Sequence, residues 1–401
     1  MPQADSVVLN DGPIDGPIPW DPLLPLEDPY PGYRRLRDEA PLYHHLGRDV
    51  WALSRFDDVQ KAARDWATFS SREGNDHDDT YQLFLPAGDV AGVDPPVHTR
   101  LRKVFREAFN PTAVRERFEP PVRVAARALV EAFADSGRAD FAQDLARPLP
   151  GQMMCTWLGF PAEDHPMLLD WFGHLLDRVP GDRALPASTL HARDQLQAYI
   201  GEAAAQRRIH PGNDLLSTMV QAERDGLISN DEILGSSVLL FLAGITTTAG
   251  LISNSLYHLE RHPEQLALMR AEPARIPNAV EELLRFDAPI QTLIRVTTRD
   301  VEMDGQVIPE GAVMSLIWAA ANHDNRRWPD ADQLDITREP ERHLAFGEGI
   351  HHCIGAPLAR LEGRIAFEEL FARIPEYAIS GPPERISTPT DRAFKHLPVT
   401  F

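Results

Sequence analysis

Apolar residues recur at helical spacing through most of the chain. The spacing predicts helices over 30–40 and 56–66, then a helix-rich stretch over 113–226 with amphipathic segments at 122–133, 167–176 and 189–206. The longest such segment runs from about 231 to 262. Ser229 and Glu232 have capping-box spacing at its start, and Pro263 closes it. Alternating stretches are short. Residues 42–46 and 50–53, parted by Gly47, Arg48 and Asp49, read as a hairpin; 301–303 and 313–317 read as strands with a turn at Asp304 and Gly305. The stretch 385–401 is extended, and the prolines crowding 13–31 suit an ordered wrap rather than a helix. The sum is a mainly helical chain with a small β region.

Three interruptions stand out. The loop 71–92 is polar and glycine-punctuated yet carries Tyr81, Leu83, Phe84 and Leu85, as loops that close over a pocket do. Pro180, Gly181 and Pro186 break the pattern between the second and third amphipathic segments. The centre of the longest helix, Ala243-Gly244-Ile245-Thr246-Thr247-Thr248-Ala249-Gly250, is poor helix material, with β-branched residues between two glycines. It is either a packing notch against another element or a groove in which a threonine hydroxyl bonds back to a carbonyl and stays available as a donor.

With 401 residues, 43% hydrophobic and 25% charged, the chain can bury a large core. No repeat, linker or charge run divides it, so a single domain over 1–401 is expected, with 1–30 as its N-terminal wrap. Two cysteines cannot build a disulfide framework and point to a reducing cytoplasm, with Cys155 a core filler among Met153, Met154, Trp157 and Leu158. The N-terminus lacks the basic start and apolar run of a leader, and no apolar run approaches 18 residues, so no membrane anchor is expected. A formal charge of −20 argues against nucleic acid and anionic membranes as partners. An acidic protein partner needs a local basic patch. One lies at 94–106, where Pro95 and Pro96 suit a helix start and His98 and Arg102 share a face, with Arg100, Lys103 and Arg106 beside them.

The chemistry concentrates near the C-terminal end, in Phe346-Gly347-Glu348-Gly349-Ile350-His351-His352-Cys353-Ile354-Gly355. Glycines there allow a tight fold and close approach to a flat group. Cys353 stands at the mouth of a helix that Pro357 opens and Leu358, Leu361 and Ile365 stripe. Amide donors and the helix dipole favour a thiolate at such a place, which makes the cysteine a ligand or a nucleophile.

This stretch resembles the cysteine-ligand loop of the cytochrome P450 superfamily, F-G-x-G-x-H-x-C-x-G. The resemblance implies that chain's fold, a mainly helical domain with a small β region around one haem b, with Cys353 as the axial iron ligand. It further implies that His98, Arg102, Arg295 and His351 meet the haem propionates. Ala243, Gly244, Thr247 and Thr248 match the family's A-G-x-D/E-T-T segment, and Thr247 matches the alcohol on the dioxygen side of the haem. Thr246 stands where the family has an acid, so the resemblance leaves the proton route open. Glu282 and Arg285 match a buried E-x-x-R pair that a further arginine completes, Arg338 or Arg342. Trp171, Phe172, Leu175 and Leu176 become candidate lid contacts, and Phe84, Leu239, Leu242, Ile290, Leu293 and Phe394 candidate pocket residues. The implied activity is monooxygenation of a small hydrophobic or aromatic compound, by hydroxylation or O-demethylation. Electrons would come from a separate ferredoxin and ferredoxin reductase, since no reductase domain is expected to be fused, and the enzyme would be a monomer. A peroxide-driven peroxygenase and a non-catalytic haem sensor are the alternatives.

Overall fold

The computed structural model describes residues 18–84, 89–339 and 341–401. Its longest helix, Asn230–Arg261, begins with the capping box seen in the sequence: Ser229 accepts from the Glu232 amide and Glu232 accepts from the Ser229 amide. By length and hydropathy this helix could cross a membrane, but 67% of its apolar stretch is buried inside the protein. It is packed by Pro148–Leu158, Ala187–Ile209, Leu215–Arg224 and Ala356–Arg373. The last of these also lies along Pro111–Phe133. Arg123 pairs there with Glu368 at 2.6 Å and Glu369 at 2.7 Å, and Arg364 with Glu119 at 2.8 Å, so the flanks of an apolar seam are ionic.

The hairpin forms between Leu42–His45 and Val50–Leu53. Val50–Leu53 pairs in parallel with Val313–Leu316, which pairs antiparallel with Leu293–Thr297, and Phe69–Ser70 closes the far edge. This sheet brings residues near 50, 294 and 315 together. The strand Val301–Met303 gains a partner, Gln306–Ile308, which the periodicity did not separate. Short strands also form at Arg138–Asp140, Ala378–Ile379, Glu384–Arg385, Phe394–His396 and Pro398–Thr400.

The helix expected at 122–133 begins eleven residues earlier, as Pro111–Phe133, with Pro120 and Pro121 inside it. Prolines ordinarily end a helix because they lose a donor and clash with the preceding turn. Here buried Val114, Phe118 and Val122 hold both sides to one core face. Of the proline-rich wrap, residues 1–17 lie outside the described residues, as does Leu85 of the long loop. From Ile18 to Pro29 the chain has no helix or strand, and Trp20 and Leu23 are buried. Arg392 fastens it by donating to the carbonyls of Leu26 at 3.1 Å and Glu27 at 2.7 Å.

Candidate active site

Cys353 lies between a single 3₁₀ turn at Gly349–His351 and the helix Ala356–Arg373. Gly347 and Gly349 take φ of 67° and 70°. A Cβ at position 349 would stand 2.5 Å from the Ala63 carbonyl oxygen, so the loop packs against the helix Phe56–Arg64 only with glycine there. Gly355 has ordinary right-handed geometry as the helix N-cap. The Cys353 amide donates to the Phe346 carbonyl at 2.8 Å and closes the loop. The residue is accessible, although protein packs densely around it. Burial pushes the thiol up, against the pull of the Gly355 amide, Arg102, the Ala356 amide and Arg360. The donors expected at the helix start are therefore present, but burial outweighs them; a metal ion on the sulfur would reverse this.

Around the loop the structure gathers His98, Arg102, Arg295 and His351. His98, from helix Val97–Phe105, meets His351 with ring centroids 4.5 Å apart. Both ring nitrogens of His98 and Nε2 of His351 are buried without a hydrogen-bond partner; the Ile350 carbonyl comes near His98 but not in bonding geometry. Arg102 donates to the His352 carbonyl. Arg295, 3% exposed on strand Leu293–Thr297, donates to its neighbour Ile294's carbonyl at 2.6 Å. Among the described residues no carboxylate is within ion-pair distance of Arg102 or Arg295. Burial lowers Arg295 to about 10, and burial with Arg295, His98 and Arg102 lowers His351 to about 2. Buried cations and donors with no acceptor are costly. The set fits an anionic group with several oxygens, such as the two propionates of a haem. Among the described residues there is also no cluster of three or more His, Cys, Asp or Glu able to hold a metal. One thiol as sole protein ligand suits an iron that brings its own macrocycle.

The long helix supplies an open strip. Ala243 is exposed, and Leu239, Leu242 and Thr247 are half-buried, amid buried neighbours. Thr247 donates to the Ala243 carbonyl at 2.7 Å, and Thr246, buried and turned away, to that of Leu242 at 3.0 Å. The packing-notch reading also holds for the glycines. A Cβ at 244 would meet Met154 Sδ at 2.5 Å, and one at 250 the Arg392 carbonyl and Pro289 Cβ at 2.9 Å.

Glu282 and Arg285 form a bidentate pair at 2.7 Å, 4% and 2% exposed. Arg338 joins it, 3.4 Å from Glu282, whereas Arg342 pairs with Glu348 at 3.1 Å. Arg285 also donates to the carbonyls of Asn322, Ala331 and Gln333.

Several expectations need correction. Phe394 is buried, with the Arg385 guanidinium 4.0 Å from its ring and Tyr257 at 4.9 Å, so its contacts are with these two residues. Phe172 and Leu175 are buried in the core, Phe172 against Phe241, and Trp171 rests on Tyr199. Arg100 is engaged by Glu232 at 2.5 Å, leaving Lys103 and Arg106 as the exposed basic residues of that helix end. Ile290 and Leu293 are half-buried, and Phe84 lies in the main apolar cluster.

Sequence reasoning missed three features. Asp287, 1% exposed, accepts from Tyr30 at 2.7 Å and Arg392 at 2.9 Å and lies 2.8 Å from His258, joining the wrap, the C-terminal segment and the long helix. Arg178, in the break between helices His165–Leu175 and Ala187–Ile209, donates to Asp78 of the long loop at 2.6 Å and to Thr80 at 2.8 Å. Glu362 is 1% exposed with neither carboxyl oxygen hydrogen-bonded. None of the three has a local motif.

The family model for cytochrome P450 matches residues 38–374. The chain is 37% identical to vitamin D(3) 25-hydroxylase of Pseudonocardia autotrophica, over 88% of each chain. It is 35% identical to cyclomarin C epoxidase CymV of Salinispora arenicola, over 92% of this chain and 94% of that one. The fold is similar to that of CYP109E1 from Bacillus megaterium, solved with testosterone, at a TM-score of 0.86 and 29% identity, covering 93% of this chain and 97% of that one. A thiol loop, an anion-seeking cluster and a threonine-bearing helix strip thus sit in a matching sequence and fold: the chain belongs to the cytochrome P450 family and is a haem-dependent monooxygenase.

Proposed function

We propose that the protein holds haem b in a single domain over 1–401 and inserts one oxygen atom of dioxygen into a small apolar compound, by hydroxylation or O-demethylation. The observation that carries this reading is the accessible Cys353 beside the buried His98 and Arg295 and the half-buried Arg102 and His351, none of them paired with an anion among the described residues. Cys353 would hold the iron, and His98, Arg102, Arg295 and His351 the propionates. When bound, the haem supplies the activation of dioxygen by two electrons and two protons. The chain's residues do the rest. Leu239, Leu242, Ile290 and Leu293 exclude water and orient the substrate by apolar contact. Thr247 holds a hydroxyl proton on the open strip, its oxygen fixed by the Ala243 carbonyl, and Thr246 steadies the adjoining turn through Leu242. The Arg178 and Asp78 pair ties the lid segment to the loop and keeps the cleft closed.

A ferredoxin with its reductase would deliver electrons at Lys103 and Arg106 to a cytoplasmic monomer that uses neither nucleic acid nor membrane. Relatives named for hydroxylating vitamin D(3) and epoxidising cyclomarin C support an apolar substrate. The test is optical titration against aromatics, terpenes, fatty acids and macrolides, then turnover of the binders with ferredoxin, reductase and NADH. A spin-state shift and a product gaining one oxygen from labelled dioxygen are expected. Turnover with peroxide and none with ferredoxin would instead establish the peroxygenase.

A further inference from the structure

We propose that Glu348 is a positioning residue for the axial cysteine: its buried carboxylate clamps the first turn of the Cys353 loop to the body of the protein, and its negative charge lowers the reduction potential of the iron that the loop holds. The proposal rests on the haem-thiolate reading above. Between Glu341 and Glu362 the sequence has one acidic residue, Glu348, and it stands between Gly347 and Gly349. Residues in such turns ordinarily face water. Glu348 is instead 4% exposed. A buried carboxylate is costly unless it is paired, so its place at this turn depends on its partners.

The partners come from three directions. Oε1 accepts from the Gly349 amide at 3.0 Å, within the turn, and lies 3.4 Å from the Arg64 guanidinium and 3.1 Å from that of Arg342. Oε2 accepts from the Gln60 amide group at 3.4 Å. Gln60 and Arg64 belong to Phe56–Arg64, the helix whose end Gly349 also touches, so side chain and backbone grip the same place. The grip reaches the cysteine in short steps. The Gly349 carbonyl accepts from the His352 amide at 3.2 Å, and the Cys353 amide closes on the Phe346 carbonyl at 2.8 Å, two residues before Glu348. The charge acts separately from the grip. Arg102 and Arg360 pull on the thiol itself, whereas Arg64 and Arg342, each about half exposed, share the Glu348 carboxylate. Glu348 is thus the one acidic side chain that the loop contributes to its own surroundings. A nearby negative charge favours ferric over ferrous iron, and a unit charge in a protein interior moves such a balance by about tenfold.

The test is a spectroelectrochemical titration of the holoprotein for the parent, Glu348→Gln and Arg342→Ala, with the carbon monoxide spectrum of each followed over hours. Glu348→Gln keeps the length and an accepting oxygen but loses the charge. It should raise the ferrous-to-ferric ratio at a fixed potential by about tenfold, or about 59 mV for one electron. Arg342→Ala leaves the same carboxylate less compensated and should move the ratio the other way. A purely structural role gives no such reversal of sign. Glu348→Ala, which loses the grip as well as the charge, should lose the red-shifted thiolate band several-fold faster than Glu348→Gln. Equal potentials in the parent and both charge variants overturn the proposal, as does a shift of the same sign in both. If Glu348→Gln takes up no haem, Arg342→Ala decides: a lowered potential supports the proposal, and an unchanged or raised one overturns it. A parent without the thiolate band overturns the haem-thiolate reading, and the role of Glu348 with it.

Discussion

The rings of His98 and His351 meet edge to face, 4.5 Å apart at 64°, from a helix near residue 100 and a loop near residue 350. Arg295 and Arg102 lie close enough to lower the proton affinity of His351. Hydrogen bonds to charged groups contribute about 1.5–3 kcal/mol, so removing one should loosen a bound haem by roughly 10- to 100-fold. Arg295→Leu is therefore expected to lose haem to a scavenging apoprotein that much faster. An unchanged loss rate would remove Arg295 from the haem site.

The buried Glu282 and Arg285 pair holds the segment before the cysteine loop through three backbone carbonyls. Loss of one partner leaves an uncompensated buried charge, costing about 3–5 kcal/mol. Arg285→Ala should lower the urea midpoint accordingly, whereas Arg342→Ala, an exposed residue, should shift it by less than about 1 kcal/mol.

Arg178 and Asp78 are 6% and 2% exposed at the side chain, so this link between lid and loop is shielded from salt. Asp78→Ala should speed both binding and release of a spin-shifting substrate in stopped flow. Unchanged rates would show that substrate enters elsewhere.

Glu362 gives a pH signature of its own. Its folded value, about 8, lies above the ordinary 4.5, so between those values the folded chain keeps a proton that the unfolded chain has lost. Stability from this group is thus full below about 4.5 and falls as pH rises through the window. The loss is on the order of 3 kcal/mol by pH 7. Urea midpoints at pH 5 and 8 should fall with pH in the parent and fall less in Glu362→Gln.

Lys103 and Arg106 are exposed while Arg100 is held by Glu232. Exposed charges act mainly on association rate and are screened within about 8 Å at physiological salt. Lys103→Glu should slow ferredoxin-supported turnover at low salt and leave peroxide-supported turnover intact. Arg100→Glu should act through the lost Glu232 pair and impair both assays.

Legibility in the sequence followed the range of the interaction. The Cys353 loop, the capping box at Ser229 and the pair Glu282 and Arg285 were readable because their partners lie within a few residues. Arg338 could not be chosen over Arg342 without the fold, since both follow the same turn and only the approach to Glu282 separates them. Asp287 went unseen because its partners come from residues 30, 258 and 392. The contacts of Phe394 with Arg385 and Tyr257 went unseen because a strand of three residues carries no signal of its neighbours. Glu362 is an ordinary helix-surface residue in sequence, and its burial follows from the seam with the long helix.

The central claim is that Cys353 holds a haem iron through its thiolate. The direct measurement is the absorption spectrum of the reduced protein under carbon monoxide, for the parent, Cys353→His and Cys155→Ser. Cys155, fully buried with its thiol pushed up to about 12, serves as the control. The strongly red-shifted Soret band of thiolate ligation should appear in the parent and in Cys155→Ser and vanish in Cys353→His. A histidine-type spectrum in the freshly prepared parent, or a red-shifted band that survives Cys353→His, would contradict the assignment.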